Sequence, residues 1–513
     1  MPDTFTLENL DESALGRMAQ VFAAFARKGD VFALVGDLGA GKTTFARAMI
    51  RALLGSPAEE IPSPTFTLVQ TYTAKRMEIA HLDLYRLSSS EELDELGLDA
   101  QLANGIALIE WPQNAGDRLP ADRIVIRIEE TRGNQKDADR RDLTISGTGA
   151  LAERAGRMRR ILELLARDGW QHEGSRIEYL QGDASARAYA GMTMPDGERR
   201  VLMDWPRQPD GPPIRAGLPY SRIAHLAEDV RPFVAIANAL AAAGIAAPRV
   251  LQSDLDAGLL VIEHLGDGVY GRALAEGASQ RDLWSAALDV LLDLRRHDWS
   301  QPLPVGDGTL YRLPAYDAEA MDVEVSLLPD WLWSHAKGTP IPSEIRNEHQ
   351  HLWAGLIRQL HGMPAGLVLR DYHSPNLIWR SERSGLQRVG VIDFQDALLG
   401  NEAYDVVSLL QDARLDVSEA LERDLLKAYC AARQSQDRSF DEPAFHLAYA
   451  ALGAQRASKI LGIFARLNRR DGKPQYLAHL PRVSGYLARC LRHPALEPLA
   501  QFHKTHFAGI VGR

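Results

Sequence analysis

The chain has 513 residues, too many for one ordinary hydrophobic core, and its 45% hydrophobic and 25% charged residues are typical of a folded globular protein. A net charge of −10 argues against a large nucleic-acid-binding surface of its own. Two cysteines, Cys430 and Cys490, exclude a disulfide framework and a cysteine-rich metal cluster. No apolar run approaches the roughly 20 residues of a membrane helix, and the N-terminus lacks a signal pattern. We therefore expect a cytoplasmic protein of two or three domains.

The first 146 residues show a pattern typical of an α/β domain. The apolar run Val31–Val35 predicts a buried strand, and the glycine-rich turn after it opens a helical pattern through Leu54. Further strands are predicted in FTLVQTYT, RMEIAHLDLY, GIALIEW and RIVIRIEE, and a last strand ends near Ser146. The sequence therefore predicts an α/β domain over residues 1–146.

The turn VGDLGAGKTTF fits the phosphate-binding pattern G-x-x-x-x-G-K-[ST] between a strand and a helix. Glycines let the backbone wrap around phosphate oxygens, and the N-terminus of the following helix adds partial positive charge. The lysine of such a P-loop reaches the β- and γ-phosphates, and the next hydroxyl binds Mg²⁺. The predicted ATP-binding residues are Gly36, Gly39, Gly41, Lys42, Thr43 and Thr44, of which Thr43 is also a predicted metal ligand.

A nucleotide-bound Mg²⁺ also needs a carboxylate near the ends of neighbouring strands. Asp83 in HLDLYRL and Glu110 in LIEWP both lie at or near the ends of apolar runs. With a P-loop upstream, a role at the metal is favoured over that of a solvated strand-end acid. The stretch Ser63–Val69 supplies hydroxyls where a nucleotide-sensing switch is expected.

The segments GDLGAGKTTF, SPTFTLV, HLDLYRL, EELDELGL and IEWPQ occur in the order and spacing of the TsaE family. TsaE proteins are ATPase subunits of the bacterial system that installs threonylcarbamoyladenosine on tRNA. The resemblance implies an ATPase that is weak alone, acts with the TsaB and TsaD proteins and reaches tRNA only indirectly. It places Thr65 in the switch and Trp111 in nucleotide binding. It assigns Asp83 and Glu110 to the metal and to hydrolysis, with Glu110 catalytic, without deciding which acid touches the metal.

The remainder of the chain has the order of a kinase-like fold. The small residues of GTGALAERAG, residues 147–156, predict a flexible linker. An amphipathic segment and several strand-like segments follow, and the pattern becomes helix-rich from about Ser279. We predict a bilobal α+β protein-kinase-like domain over residues 157–513, with a small lobe to about residue 266 and a helical lobe beyond it.

The loop LRDYHSPNLIW contains the residues that a kinase catalytic loop requires. Such a loop needs an acid that accepts the proton of the acceptor hydroxyl, and an asparagine a few residues later that binds Mg²⁺. Asp371 and Asn376 have this spacing, and Asp393 in VGVIDFQDA follows an apolar run as the second metal ligand should. His373 and Asp396 are interpreted as structural residues.

Two segments of the small lobe are predicted to bind ATP. The turn GDASARAY suits a lid over the phosphates, and VIEHLGD suits the hinge between lobes, where backbone groups meet adenine. The predicted ATP-binding residues here are Gly182, Ser185, Arg187, Glu263 and Leu265.

The motifs GDASARAY, VLMDWP, RDYHSPNL and IDFQDA resemble the aminoglycoside-phosphotransferase-like kinases, and within them the AmgK group. AmgK enzymes are anomeric kinases of N-acetylmuramate and N-acetylglucosamine in cell-wall recycling. The resemblance implies Asp371 as catalytic base, with Asn376 and Asp393 holding Mg²⁺. Phosphorylation of another small alcohol (an aminoglycoside, choline or homoserine) and a non-catalytic regulatory role remain alternatives.

Two positions depart from the usual kinase pattern. Leu369 replaces the histidine at the head of the catalytic loop, and Asp204 in VLMDW stands where a phosphate-binding lysine is expected. No lysine occurs between Lys136 and Lys337, so an arginine is expected to bind phosphate instead. The candidates are Arg187, Arg199 and Arg200. For the sugar, Trp331, Trp333 and Glu324 are candidates whose alternative is a structural role.

Overall fold

The computed structural model describes residues 4–87, 89, 91–131, 139–180 and 187–510. The chain divides into two compact units, one of residues 1–207 and 250–264 and the other of residues 208–249 and 265–513. Among the helices of the described residues, none combines the length and hydropathy needed to span a bilayer.

The first unit contains two sheets and their helices. Its elements are β1 Phe5–Leu10, α1 Glu12–Phe25, β2 Val31–Val35, α2 Lys42–Leu54, β3 Val69–Thr73, β4 Glu78–Asp83, α3 Glu92–Glu95, α4 Leu98–Asn104, β5 Gly105–Glu110, β6 Arg123–Glu130, β7 Arg141–Thr148, α5 Ala152–Arg167, β8 Arg176–Leu180, β9 Ala188–Thr193 and β10 Arg199–Asp204. Residues 250–264, which also belong to this unit, add β13 Val250–Asp254 and β14 Leu259–Glu263.

The P-loop sheet has seven strands in the order β1-β7-β6-β2-β5-β4-β3. Strands β2, β4, β5 and β6 pair in parallel, whereas β1, β3 and β7 pair antiparallel at the two sides. β2 and β5 are apolar almost throughout because parallel strands are covered on both faces. The predicted α/β fold is confirmed, and β1 is the strand that the sequence pattern did not predict.

The kinase sheet has five antiparallel strands in the order β13-β14-β10-β9-β8. It lies in the same compact unit as the P-loop sheet, while residues 208–249 of the predicted small lobe belong to the second unit. The boundary between the two compact units therefore differs from the boundary between the two predicted domains.

The predicted flexible linker at residues 147–156 is wrong. These residues form the end of β7, a 3₁₀ turn at Gly149–Leu151 and the start of α5, where Ala155 is fully buried. Glycine is required here for close approach, because a Cβ on Gly147 would lie 2.3 Å from the carbonyl oxygen of Leu151. Small residues that read as flexible in the sequence are instead the ones that tight packing admits.

The second unit is mainly helical. Its elements are β11 Pro213–Arg215, β12 Leu218–Pro219, α6 Tyr220–Ile223, α7 Arg231–Ala242, α8 Tyr270–Ala275, α9 Gln280–Leu294, β15 Leu303–Pro304, β16 Leu310–Tyr311, α10 Ala318–Val325, α11 Trp333–Lys337, α12 Ser343–His361, β17 Gly366–Val368, β18 Leu377–Trp379, β19 Val389–Val391, β20 Leu398–Gly400, α13 Ala403–Leu410, α14 Glu419–Gln436, α15 Glu442–Asp471, α16 Leu480–Cys490 and α17 Glu497–His506. The short pairs β17–β20 and β18–β19 carry the predicted catalytic loop and its metal ligand.

Gly147→Ala is expected to lower the free energy of unfolding by about 1–3 kcal/mol, because its Cβ would collide with backbone atoms that cannot move away cheaply. The matched control is Gly16→Ala in α1, where the nearest atom lies 4.0 Å from the new Cβ. Urea denaturation of the full chain measures both. Equal stability of Gly147→Ala and the wild type would restore the flexible-linker interpretation.

Candidate active sites

The P-loop follows β2 directly and is shaped by two glycines. A Cβ on Gly36 would lie 2.3 Å from the carbonyl oxygen of Ile128, and Gly41 has a left-handed φ of 108° immediately before α2. Gly39 also has positive φ, and Thr44 lies in the first turn of α2. The backbone therefore forms the cradle at a helix N-terminus that suits a phosphate group.

Lys42 lies across this cradle. Its Nζ donates hydrogen bonds to the carbonyl oxygens of Gly36 (2.9 Å) and Asp37 (2.8 Å), and lies 3.8 Å from the centre of the Trp111 ring. Burial lowers the pKa of Lys42, and nearby carboxylates, above all Glu110, oppose that shift. Trp111 itself has a left-handed φ of 56°, a costly conformation for an aromatic residue.

The two predicted acids lie side by side at the ends of parallel strands. Asp83 of β4 is paired in register with Glu110 of β5, and both are buried. Thr43 Oγ1 donates to Glu110 Oε2 over 2.7 Å, and Thr65 Oγ1 donates to Asp83 Oδ2 over 2.6 Å. Two carboxylates and two hydroxyls next to a phosphate cradle are the ligand types that Mg²⁺ prefers.

His81 is a site residue that the sequence interpretation missed. It is fully buried, and its Nε2 lies 2.9 Å from Glu110 Oε1. Since residues two apart in a strand share a face, its position two residues before Asp83 was the available signal. With Thr43 on one oxygen and His81 on the other, the Glu110 carboxylate is fixed in orientation.

The kinase catalytic residues come together within the second unit. Asn376 Nδ2 donates to the backbone oxygen of Asp371 over 2.9 Å and lies 3.5 Å from Asp393 Oδ2. Gln395 Nε2 donates to the other Asp393 oxygen over 2.9 Å. Asn376 and Asp393 thus lie next to each other beside the backbone of Asp371, and an amide and a carboxylate are side chains whose oxygens suit a hard divalent cation.

Asp405 holds the head of the catalytic loop. Its two carboxylate oxygens accept hydrogen bonds from the backbone nitrogens of Leu369 (2.6 Å) and Arg370 (2.9 Å). Burial raises the pKa of Asp405 to about 7, against the lowering effect of those two hydrogen bonds. Because the loop is held through backbone nitrogens, a leucine at position 369 is accommodated in place of the usual histidine.

Arg370 anchors the same loop through its buried side chain. It has a left-handed φ of 72°, and its guanidinium is buried in an ion pair with Glu324. Lys459 and Gln455 also contact the Glu324 carboxylate at 2.8 Å. Glu324, a candidate for sugar binding in the sequence, is therefore a buried support of the catalytic loop.

The remaining second-unit candidates divide by their environment. Asp396 Oδ1 accepts from the backbone nitrogen of Ala227 over 2.7 Å, which agrees with the structural role expected for it. Burial lowers the pKa of His373, so a neutral scaffold role suits it. Trp333 is buried against Phe507, with ring centres 5.5 Å apart, while Trp331 is half-exposed.

The sheet geometry places Asp204 on the face of β10 that packs against α5. Leu202 belongs to the apolar cluster that includes α5, and Asp204, on the same face, accepts a 2.9 Å hydrogen bond from Nε of Arg157 in α5. Met203 between them lies on the opposite face. Asp204 therefore belongs to the packing of α5, on the face of the sheet opposite to that of Met203.

The other small-lobe candidates are placed as follows. Gly182 and Ser185 lie outside the described residues. The Arg187 guanidinium lies 4.3 Å from the centre of the Trp205 ring. Glu263 ends β14 in the first unit, and Leu265 is buried in the second.

Comparison with known proteins assigns a family to each half of the chain. A family model described as threonylcarbamoyl adenosine biosynthesis protein TsaE matches residues 10–141, and one described as phosphotransferase enzyme family matches residues 176–443. The chain belongs to both families. The prediction of a natural fusion is thereby confirmed.

Individual relatives match each half. An N-acetylmuramate/N-acetylglucosamine kinase of Caulobacter vibrioides is 40% identical over 334 residues, which is 63% of this chain and 90% of that protein. The corresponding kinase of Pseudomonas aeruginosa is 34% identical over 66% of this chain and 91% of its own length. A tRNA threonylcarbamoyladenosine biosynthesis protein TsaE of Rickettsia bellii is 40% identical over 25% of this chain and 88% of its own length.

Asp405→Asn is expected to change how stability depends on pH. Because the folded-state pKa is about 7 and an unfolded aspartate titrates near pH 4, the folded chain binds an extra proton between these values. The stabilising contribution is complete below about pH 4 and is lost as pH rises to 7, by at most ~1.4 kcal/mol per pH unit. Urea unfolding of the full chain at pH 5, 6 and 7 should therefore show a free energy of unfolding that falls less steeply with pH in the variant than in the wild type.

The control for this measurement is Asp437→Asn. Asp437 is exposed, and hydrogen bonds from Ser439 lower its pKa, so it does not titrate between pH 5 and 7. Wild type and Asp405→Asn with the same pH slope would show that Asp405 is ionised throughout this range.

Proposed function

We propose that the chain is bifunctional. Its P-loop domain is the ATPase of tRNA threonylcarbamoyladenosine formation, and its kinase domain transfers phosphate from ATP to the anomeric hydroxyl of N-acetylmuramate or N-acetylglucosamine. The observation that carries this proposal is that the predicted catalytic and metal-binding residues of each family meet in one unit: Lys42, Thr43, Asp83 and Glu110 in the first, Asp371, Asn376 and Asp393 in the second. The names of the relatives supply the substrates.

Both sites suit ATP with Mg²⁺, and the residues that would hold them follow from the geometry. In the P-loop domain these are the glycine cradle, Lys42, Thr43 and the acids Asp83 and Glu110; in the kinase domain Asn376 and Asp393 bind the metal. When bound, Mg²⁺ neutralises charge on the phosphate oxygens.

In the P-loop domain, the Glu110 carboxylate orients the attacking water. His81 and Thr43 each bind one oxygen of this carboxylate, so its orientation is already set before the water binds. Little conformational entropy of the Glu110 side chain is then lost in the reaction. Thr65, bonded to Asp83, lies in the stretch that senses the nucleotide. The partners proposed are TsaB and TsaD, through which this domain acts on tRNA, in the cytoplasm.

In the kinase domain, Asp371 accepts the proton of the sugar hydroxyl as that oxygen attacks the γ-phosphorus. Asp405 and Arg370 hold the loop that carries Asp371 through buried hydrogen bonds and an ion pair, which positions the base before the sugar arrives. A regulatory, non-catalytic role would leave no reason for the base and both metal ligands to converge in this way.

Two reciprocal variants test the assignment of the two activities. Asp371→Asn should reduce sugar phosphorylation by about a thousandfold and leave tRNA modification intact. Lys42→Ala should do the opposite, because its loss removes the P-loop cation alone. Phosphorus NMR of the full chain with ATP, Mg²⁺ and either amino sugar identifies the 1-phosphate, and reconstitution with TsaB, TsaD and tRNA measures the other activity. A chain that phosphorylates other small alcohols but neither sugar would contradict the proposed substrate.

Strand alternation removes Arg200 from the three arginines proposed to replace the small-lobe lysine, and leaves Arg187 and the exposed Arg199 on the other face of the sheet. Arg187 is the one proposed, because it is partly buried over the Trp205 ring. Ala190 and Met192 of β9 face α5, as does Arg200, which pairs with Asp168 at the end of that helix. Arg187 continues the opposite face of β9, two residues before Tyr189.

Arg187→Met should therefore lower kcat/KM for ATP in sugar phosphorylation by about a hundredfold, the effect of losing one charged phosphate contact. Arg200→Met is the control and should stay within about threefold, since its charge is directed at α5. Steady-state kinetics with varied ATP decide this. Equal losses in both variants would show that neither arginine has a specific role at the phosphates.

A further inference from the structure

One face of the kinase sheet is apolar and is covered by α1 of the P-loop domain and by α5, the helix between the two sheets. Helix α1 lies against β8, and α5 packs against β7, β13 and β14. Six side chains on the kinase strands β8, β9, β10 and β14 belong to the same cluster of buried apolar residues as the core of the P-loop domain: Ile177, Ala190, Met192, Leu202, Leu259 and Val261. Each of the six is at most 3% exposed.

Two polar side chains of the P-loop domain fasten α1 to β8. Gln20 Oε1 accepts a 3.3 Å hydrogen bond from the backbone nitrogen of Ile177. Arg76 donates to the carbonyl oxygens of Ala23 (2.8 Å) and Ala24 (3.1 Å), and its guanidinium lies 4.1 Å from the centre of the Tyr179 ring. The arginine thus connects the end of α1 with a kinase strand by hydrogen bonds on one side and a cation–π contact on the other.

Helix α5 connects the two sheets through arginines spaced three residues apart. Arg154 forms an ion pair with the buried Asp30, which precedes β2, and donates to the carbonyl oxygen of Phe25 over 2.9 Å. Arg157 bonds Asp204 of β10, and Arg160 bonds both carboxylate oxygens of Asp254 in β13, at 2.8 and 3.0 Å. One rigid helix is therefore fixed to the strand that leads into the P-loop and to two kinase strands.

We propose that the P-loop domain is an intramolecular partner of the kinase, and that the order of the kinase's ATP-binding strands depends on the contacts α1 and α5 make. Without α1 and α5 the sheet would expose a contiguous apolar face, which a soluble domain rarely tolerates. Since interiors are close-packed, a change at α1 is transmitted to the strands that rest on it. The proposal goes beyond two enzymes joined in one chain, because the P-loop domain would help to stabilise the strands of the kinase sheet.

The experiment alters only the P-loop side of this interface and reads only the kinase strands. In the full chain, the double variant Gln20→Ala/Arg76→Ala removes the hydrogen bond to Ile177 and the contact with Tyr179. Hydrogen exchange measured by mass spectrometry follows peptides covering β9 and β10, which neither residue touches. We expect their exchange to accelerate by about tenfold or more, because local opening becomes easier.

The matched control is Arg51→Ala. Arg51 also lies in the P-loop domain and donates to a carbonyl oxygen, that of Glu59, but it makes no contact with the kinase sheet among the described residues. It should leave exchange in β9 and β10 as in the wild type. Unchanged exchange of these strands in the double variant would overturn the proposal and show two independent domains.

A second readout is the KM for ATP in sugar phosphorylation, which rests on the proposed function. The double variant should raise this KM by about threefold or more with a smaller change in kcat, as expected when ATP-binding strands loosen. The exchange measurement needs no substrate, so failure of the substrate assignment and failure of the interface are distinguishable.

Discussion

Three arginines on α5 end on carboxylates of two different sheets, and most of the first unit depends on this arrangement. Each guanidinium is partly buried, and its partner carboxylate more so, which makes these pairs costly to break once formed. The apolar cluster beneath them supplies the non-directional part of the stabilisation, and the ion pairs decide how the sheets are oriented on the helix. The predicted flexible linker at residues 147–156 thus leads into a helix whose ion pairs reach both sheets.

The two active sites solve the same electrostatic problem by different means. A catalytic carboxylate must keep one orientation, and a buried carboxylate requires hydrogen-bond donors. Glu110 receives a hydroxyl and an imidazole from neighbouring elements of a parallel sheet. Asp371 is instead fixed through its loop, whose backbone nitrogens bond to Asp405 and whose arginine is held by Glu324. Orientation resides in side chains in the first case and in the backbone in the second.

Charges buried far from solvent are concentrated beneath the kinase loop. Glu324 accepts from Arg370, Lys459, Gln455 and Tyr316 at once. Such a network is unfavourable unless every member is satisfied. The left-handed φ of 72° at Arg370, the residue before Asp371, is a further conformational cost that this network holds in place.

Local motifs with fixed spacing were predictable from the sequence. The P-loop depends on glycines and a lysine within a few residues of one another, and Asp371 and Asn376 stand five positions apart, so short stretches of sequence suffice to define the chemistry. Strands such as β2 and β5 were also predictable, because a strand buried on both faces is apolar along its length.

Other features were decided only by the tertiary structure, because they join residues far apart in the chain. The contact between His81 and Glu110 spans 29 residues, and that between Arg157 and Asp204 spans 47. Asp204 lies on the face of β10 that α5 covers, and the sequence around Asp204 does not show which face of the sheet a helix covers. A sequence with glycines at 147 and 149 looks the same whether the segment is a flexible linker or a tightly packed turn. Only the neighbouring backbone, 2.3 Å from a Cβ at position 147, shows which of the two it is.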